Sequence, residues 1–190
     1  MGSLSAAVAL AALASVAAGC SSHAPSAQAV PATTAAVTQT TGTPPSGRPD
    51  PRRFLAFDPA AKRVRLTMIA GLGSSNNGYN FDGYGRGELV ASVPRDWRVT
   101  VDFENHASRR TSCAVVTGAR SATIPFRGAS VAQPLEGTTS GAGERFSFTP
   151  SRAGVFRITS LVPGQAEARM YAVLVVTDGG RPSISARPGP

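Results

Sequence analysis

Apolar and polar residues alternate along several short segments of this chain, which is the pattern of strands with one buried face. In the first segment Val64, Leu66, Met68 and Ala70 alternate with Arg and Thr residues. In the segment 97–103, Trp, two Val and Phe alternate with Arg, Thr and Asp. Each segment therefore predicts a strand with one face in a core.

Six further segments have the length and composition of strands, and turn-forming sequences such as Asn76-Asn77-Gly78 separate many of them. No segment among these strand candidates has apolar residues at the spacing of an amphipathic helix. A one-sided sheet must bury its apolar face against another layer, so seven or eight strands predict an all-β, Greek-key β-sandwich. The six further candidates are Glu88–Val93, Ser112–Thr117, Ala122–Phe126, Arg145–Thr149, Val155–Ser160 and Met170–Thr177.

The N-terminal residues 1–19 have the features of a signal peptide. The uncharged run 6–18 is shorter than the roughly 20 residues of a membrane-spanning helix, but it suits a secretory signal. It ends in Val16-Ala17-Ala18-Gly19-Cys20, which resembles the lipobox of bacterial lipoproteins and implies lipidation of Cys20. We therefore expect anchoring to the outer face of the bacterial cytoplasmic membrane. If Cys20 is not acylated, the same segment predicts secretion.

The composition outside the strands predicts the remaining organisation. Residues 20–56 are rich in Pro, Ala and Thr, so we expect the anchor cysteine to be followed by a disordered linker. The folded domain is predicted to span 57–178. Residues 179–190 are rich in Gly, Pro and Ser and are predicted to be a flexible tail.

Composition and charge narrow the classes of function. The chain has 190 residues with 20 Gly and 15 Pro, which disfavours a helical bundle and two full cores. Its net charge of +8 suits anionic lipid, envelope polyanions or an unidentified acidic protein, whereas an exported protein is not expected to meet nucleic acid. Two Cys and two His lack the spacing of a structural zinc site and offer little acid–base chemistry, so we expect no enzyme.

An ordered series of residues from about Val64 to Val176 resembles the sulfocyanin group of blue copper proteins, which have the cupredoxin sandwich. Its first part is the segment 78–87, GYNFDGYGRG, followed by Val93-Pro94 and the strand that starts at Trp97. The resemblance continues through Phe146-Ser147-Phe148, Gly154, Val162-Pro163-Gly164, Met170 and Val173-Leu174-Val175-Val176. It implies a cupredoxin fold and, in the family, electron transfer by copper.

The same resemblance implies where type 1 copper ligands would stand. Such a site needs two imidazoles and a thiolate, with a weak axial Met. In this chain the matching positions are Thr111, Ser160, Gln165 and Met170, so only the axial residue type is present. We therefore expect no metal cofactor, and a non-enzymatic binding or structural module of the cell envelope.

The alternative is a copper-binding electron-transfer protein with an altered site. Strand parity places Cys113 on the same face as Thr111, which allows a set of Cys113, His106 and Met170. Without such a set, Cys113 and Met170 are core residues and His106 is a solvated loop residue. A third reading is a sensor or assembly subunit that uses the pocket left by copper.

Overall fold

The computed structural model describes residues 47–118 and 122–188, and these residues form nine strands in two sheets. The all-β sandwich predicted from the alternating pattern is confirmed, with one or two strands more than expected. No helix of the described residues is long and apolar enough to cross a membrane. The strands are β1 Leu55–Asp58, β2 Arg63–Ala70, β3 Leu89–Pro94, β4 Arg98–Asn105, β5 Ala114–Val116, β6 Gly143–Phe148, β7 Gly154–Thr159, β8 Tyr171–Thr177 and β9 Ser183–Ala186.

One sheet has the strand order β1-β2-β4-β6 and the other has the order β5-β7-β8-β3-β9. Most neighbours are antiparallel, but β2 pairs with β4 and β3 pairs with β8 in parallel. Two short 3-10 helices, Pro51–Phe54 and Ser75–Gly78, lie outside the sheets. The two sheets bury their apolar faces against each other, as the period of two requires.

The core follows the alternation of the strands. In β2 the buried positions are Val64, Leu66, Met68 and Ala70, and the positions between them are exposed or half-buried. At the side of the sandwich, Phe126 stacks on Phe148 with 5.8 Å between the ring centroids and meets Phe156 edge-on at 4.9 Å. Aromatic pairs of this kind stabilise a core beyond the area that they bury.

The predicted strand Ala122–Phe126 is wrong. The described residues from 122 to 126 have no strand assignment, although Phe126 is buried in the core. Pro125 has no N–H to donate to a ladder, which disfavours a strand here. The apolar residues of this segment therefore indicate packing against the core and not a strand.

The predicted start of the domain at residue 57 is also wrong. Pro49 O accepts a hydrogen bond of 2.7 Å from Tyr84 Oη, and Arg48 forms an ion pair of 2.8 Å with Glu88. Phe54 is buried, and β1 begins at residue 55. Residues 48–56 therefore belong to the fold, while the predicted signal peptide, Cys20 and linker residues 20–46 lie outside the described residues.

The C-terminal segment also belongs to the fold in part. β9 pairs antiparallel with β3, Ile184 is buried, and the backbone N–H of Arg187 donates to Glu88 O at 2.9 Å. The prediction of a flexible tail from residue 179 is thus wrong for residues 183–187. Its high content of Gly, Pro and Ser does not prevent a short edge strand when one apolar residue enters the core.

Candidate functional site

Three of the four positions matched to copper ligands lie in or contact the segment 110–112, and the fourth is linked to one of them. Thr111 lies within it, Ser160 is hydrogen-bonded to Ser112, and Gln165 Nε2 donates to Arg110 O at 2.7 Å. Met170 is linked to Gln165, because its backbone N–H donates to Gln165 O at 3.1 Å. Residues separated by up to 59 positions therefore meet at one end of the sandwich.

The antiparallel ladder between β5 and β7 brings Ser112 beside Ser160. Ala114 is paired with Thr159, so the chain just before β5 runs along the chain just after β7. The backbone N–H of Ser112 donates to Ser160 Oγ at 3.0 Å, and the two hydroxyl oxygens are 3.2 Å apart. Both side chains are completely buried. We call this pair the serine clamp.

The serine clamp also holds the turn that follows β7. Leu161 N donates to Ser112 Oγ at 2.8 Å, and Val162 N donates to Ser160 Oγ at 3.3 Å. The clamp therefore satisfies three buried or half-buried backbone donors where the regular ladder ends. An unpaired buried N–H is costly, so these bonds explain why two hydroxyls are accommodated inside the sandwich.

Gln165 is held by a short turn and a single side-chain bond. Its N–H donates to Val162 O at 3.2 Å, and Gly164 takes a φ of +83°, which glycine adopts without strain. The side chain is 4% exposed, but Oε1 has no hydrogen-bond partner within the described part of the chain. The amide is thus fixed through its nitrogen.

Thr111 and Met170 are buried for different reasons. Thr111 exchanges two backbone hydrogen bonds with Thr138, at 3.2 and 2.9 Å, and its hydroxyl is 3.4 Å from Arg109 O. Met170 belongs to the hydrophobic core, and its carbonyl accepts a bond of 2.8 Å from Thr159 Oγ1. The side-chain groups available to ligate a metal at the four positions are therefore two hydroxyls, an amide and a thioether. They do not fit the imidazole and thiolate ligands of type 1 copper.

The structure separates the members of the altered copper set. Cys113 is completely buried, as strand parity predicts, and shares the core with Met170. His106 lies on the surface, where Nε2 is 3.0 Å from Glu104 Oε2 and the side chain is 49% exposed. Burial raises the pKa of the Cys113 thiol well above its ordinary value, and the nearby Asp82 carboxyl acts in the same direction. Cys113 is therefore a neutral thiol in the core.

Within residues 47–118 and 122–188, no three His, Cys, Asp or Glu side chains form a group that could hold a metal ion. Cys20, the predicted lipidation site, lies outside these residues.

Two buried polar residues that the sequence analysis did not single out fix the loops around the site. Asn105, at the end of β4, donates through Nδ2 to Arg109 O at 2.8 Å and to Thr138 O at 2.9 Å, and its Oδ1 accepts from Ala107 N at 3.0 Å. It therefore pins the loop that leads into Thr111. The only signal in the sequence was a polar residue at an inward position of an alternating strand.

Asp82 is the second of these residues. Its Oδ1 accepts a hydrogen bond of 2.7 Å from Ile69 N, while Oδ2 is buried and has no hydrogen-bond partner among the described residues. Burial raises the pKa of this carboxyl well above its ordinary value, against the effect of the Ile69 N–H, and the charge of Glu104 raises it further. Asp82 thus joins its turn to β2 at Ile69, outside the part of β2 that pairs with β1.

The two sheets and the ligand-position loops at one end define the class of protein: this is a cupredoxin-like β-sandwich. A family model described as the Sulfocyanin (SoxE) domain matches residues 51–180. The chain belongs to the sulfocyanin family.

Three solved cupredoxins are similar to this chain at low identity. The reduced auracyanin of Roseiflexus castenholzii is 18% identical, covering 60% of this chain and 96% of its own, with a TM-score of 0.43. Auracyanin A of Chloroflexus aurantiacus, titled a "blue" copper protein, is 18% identical over 60% and 99%, with a TM-score of 0.43. Rusticyanin of Thiobacillus ferrooxidans is 15% identical over 66% and 88%, with a TM-score of 0.40. No curated protein sequence matches the chain.

Proposed function

We propose that this member of the sulfocyanin family is an exported, lipid-anchored and non-enzymatic binding or structural module of the cell envelope, and that it has lost type 1 copper. The anchor is Cys20, at the end of the lipobox-like segment. The proposal assigns no cofactor to the chain. Its partner is an envelope component, and the net charge of +8 favours an anionic one.

The serine clamp is the observation that supports loss of copper most directly. Ser160 stands at the position matched to the ligand cysteine, and its Oγ already accepts from two backbone N–H groups, at 3.0 and 3.3 Å. A neutral hydroxyl used in this way is a poor ligand for copper, which prefers thiolate and imidazole. The clamp instead gives the position a structural role.

Copper titration tests this part of the proposal. We expect the full chain, purified without metal, to take up no stoichiometric Cu(II) or Cu(I) and to show no intense thiolate-to-copper absorption. Cys113→Ser is the matched control, since it removes the thiol that the described residues contain. A blue product that Cys113→Ser abolishes would overturn the proposal and restore copper electron transfer.

The copper-carrier alternative is favoured by one observation. Cys113 and Met170, the two sulfur-containing members of its ligand set, lie in the same core. Its imidazole would have to come from His106, whose ring faces Glu104 on the surface. His106→Ala in the same titration therefore distinguishes the two functions, because only the alternative predicts that it changes copper uptake.

Cell fractionation tests the anchor. We expect the chain to sediment with membranes in a bacterial host and to carry fatty acid, and we expect Cys20→Ser to lose the fatty acid. Ser21→Ala is the matched control at the neighbouring position. Release of the wild-type chain into the medium without fatty acid would assign secretion instead.

A further inference from the structure

The outer face of the four-stranded sheet carries four arginines. We call it the arginine face and define it by Arg63, Arg65, Arg98 and Arg145. These residues alternate with core positions along β2, β4 and β6, so their side chains leave the sandwich on its outer side. The side chains of Arg65 and Arg145 are 58% and 63% exposed. The face is therefore accessible to a partner.

Two of these arginines are placed directly opposite each other. In the parallel register of β2 and β4, Arg63 is paired with Arg98. Neither side chain has a hydrogen bond or an ion pair within the described ranges. Like charges at paired positions destabilise a sheet, so an anion that contacts both guanidinium groups would relieve a repulsion built into the fold.

Acidic residues do not balance the positive charge at the end of the arginine face where Arg63 and Arg98 meet. Asp102 forms ion pairs with both Arg65 and Arg145. Asp58 is paired in register with Arg63, and its Oδ1 accepts the N–H groups of the following turn, at 3.0 and 3.1 Å. Its single negative charge offsets only part of the positive charge of Arg63 and Arg98. Lys62, which immediately precedes β2, adds a further positive charge. The excess of positive charge thus lies at the end of the face where Arg63 and Arg98 meet.

Hydroxyl groups occupy the positions between the charges. Thr100 and Ser147 are paired in register on the same face, with 3.0 Å between their hydroxyl oxygens, and Thr67 is paired with Asp102. Guanidinium groups bind phosphate oxygens through two parallel hydrogen bonds, and hydroxyls can add further bonds. The chemistry of the face is therefore that of a phosphate-binding surface.

The chain enters the fold beside this face. The 3-10 helix Pro51–Phe54 leads directly into β1, the edge strand of the same sheet. The residues before this helix connect the fold to the predicted anchor at Cys20. A bilayer that holds the anchor is then the phosphate-bearing surface most available to the arginine face, at a high effective concentration.

We propose that the arginine face docks onto the phosphate headgroups of an anionic phospholipid bilayer. This inference rests on the proposed lipid anchor, because the anchor is what makes the bilayer the favoured partner. One lipid anchor and a basic patch together hold a protein at a membrane more firmly than either signal alone. Docking would fix the orientation of the domain on the bilayer. It would thereby fix the direction in which the loops at the serine clamp face, which a flexible tether alone would leave free.

Vesicle binding tests the docking surface separately from the anchor. The mature chain, which lacks residues 1–19, is used as Cys20→Ser, so neither the apolar signal segment nor an acyl group contributes to vesicle binding. We expect sedimentation with vesicles of 30% phosphatidylglycerol in phosphatidylcholine in 50 mM salt, none with pure phosphatidylcholine, and loss of binding in 500 mM salt. Failure of this assay overturns docking but leaves the anchor intact, whereas failure of the fractionation experiment overturns the anchor and with it the reason for favouring a bilayer as the partner.

A pair of matched double variants tests the location. Arg63→Gln with Arg98→Gln should weaken vesicle binding roughly thirty-fold, given about 1 kcal/mol for each basic residue at the surface. Arg169→Gln with Arg187→Gln removes the same charge from exposed positions outside this sheet and should change binding less than about three-fold. If the first double variant does not fold, Arg98→Gln alone should give about a five-fold loss.

Equal losses in the two double variants would overturn the proposal, since overall charge and not the face would then explain binding. Soluble polyphosphate is the second probe. Tight binding to polyphosphate without binding to the vesicles would also overturn docking on a bilayer, and would assign the face to a phosphate polymer of the envelope.

Discussion

The backbone N–H of Ser112 donates a hydrogen bond of 3.0 Å to Ser160 Oγ, and the hydroxyl oxygens of the two residues are 3.2 Å apart. The two residues are 48 positions apart in the chain and are both completely buried. Their contact joins the entry of β5 to the exit of β7, at a position that the family resemblance matches to a copper ligand. We therefore expect this contact to stabilise this end of the domain.

Ser160→Ala should destabilise the domain. It removes the acceptor for the N–H groups of Ser112 and Val162 in a buried site, so we expect the free energy of unfolding to fall by about 2 kcal/mol. Urea denaturation measures the change. Ser151→Ala, at an exposed position, is the control and should stay within about 0.5 kcal/mol of the parent. Equal effects of the two substitutions would show that the clamp contributes nothing.

Restoring the family's ligand types should restore a coloured copper centre. The variant Thr111→His, Ser160→Cys and Gln165→His places a thiol where two N–H groups already point and two imidazoles at the neighbouring positions. We expect stoichiometric Cu(II) binding with intense visible absorption. The same variant with Ser160→Ala in place of Ser160→Cys lacks the thiolate and should remain colourless. A folded triple variant that binds no copper would contradict the positional match.

Asp82 should make the domain less stable at high pH. Its folded pKa is raised above the ordinary value of 3.8, mainly by burial, so the unfolded chain releases this proton more readily than the folded one. The free energy of unfolding should therefore fall as the pH rises from about 4 toward the folded pKa. Asp82→Asn keeps an acceptor for Ile69 N and should remove this part of the pH dependence.

Asp102→Asn is the control for that measurement and should act in the opposite direction. Partial burial opposes the charge of Asp102, but the bonds from Arg65 and Arg145 outweigh it and lower its pKa. The stability that Asp102 contributes is present above its unfolded pKa and is lost as the pH falls. Urea denaturation at several pH values would contradict our assignment if Asp82→Asn left the slope above pH 4 unchanged.

Asn105→Ala should release the loop that leads into the site. The substitution leaves the carbonyls of Arg109 and Thr138 without their amide donor and Ala107 N without an acceptor, so we expect a loss of about 3 kcal/mol. Ser108→Ala, an exposed position of the same loop, should have little effect. Amide hydrogen exchange over residues 106–111 should increase in Asn105→Ala alone. Unchanged exchange would mean that other contacts hold the loop.

Arg98→Glu should stabilise the sheet by converting an opposed pair of like charges into an ion pair with Arg63. We expect a gain of about 0.5 kcal/mol in dilute salt that disappears in 1 M salt. Arg187→Glu changes the net charge equally at a position outside this sheet. Thermal unfolding in both salts separates the pairwise effect from the general reduction in charge. A gain that persisted in 1 M salt would argue against an electrostatic origin.

The alternation of residues such as Val64, Leu66 and Met68 determined by itself that the domain is an all-β sandwich, because a period of two leaves one face of each strand to bury. The family resemblance supplied which positions would meet at the ligand end. Composition predicted the wrong domain boundaries. The segment that contains Pro49 and Phe54 has the composition of a linker, and the segment that contains Ile184 has that of a tail, yet both belong to the fold. One buried side chain together with a few hydrogen bonds orders each of these short segments, and composition averages over such contacts.

Only the tertiary structure decided how the buried polar groups are satisfied and which surface charges are neighbours. Strand parity places Ser112 and Cys113 on opposite faces, so only one of them is expected to be buried. Both are completely buried, because the turn after β7 covers Ser112 and bonds to it. Arg63 and Arg98 meet only through the parallel register of β2 and β4. Hydrogen bonds and charge pairs depend on distances of a few ångströms between residues far apart in the chain, and local sequence pattern does not encode those distances.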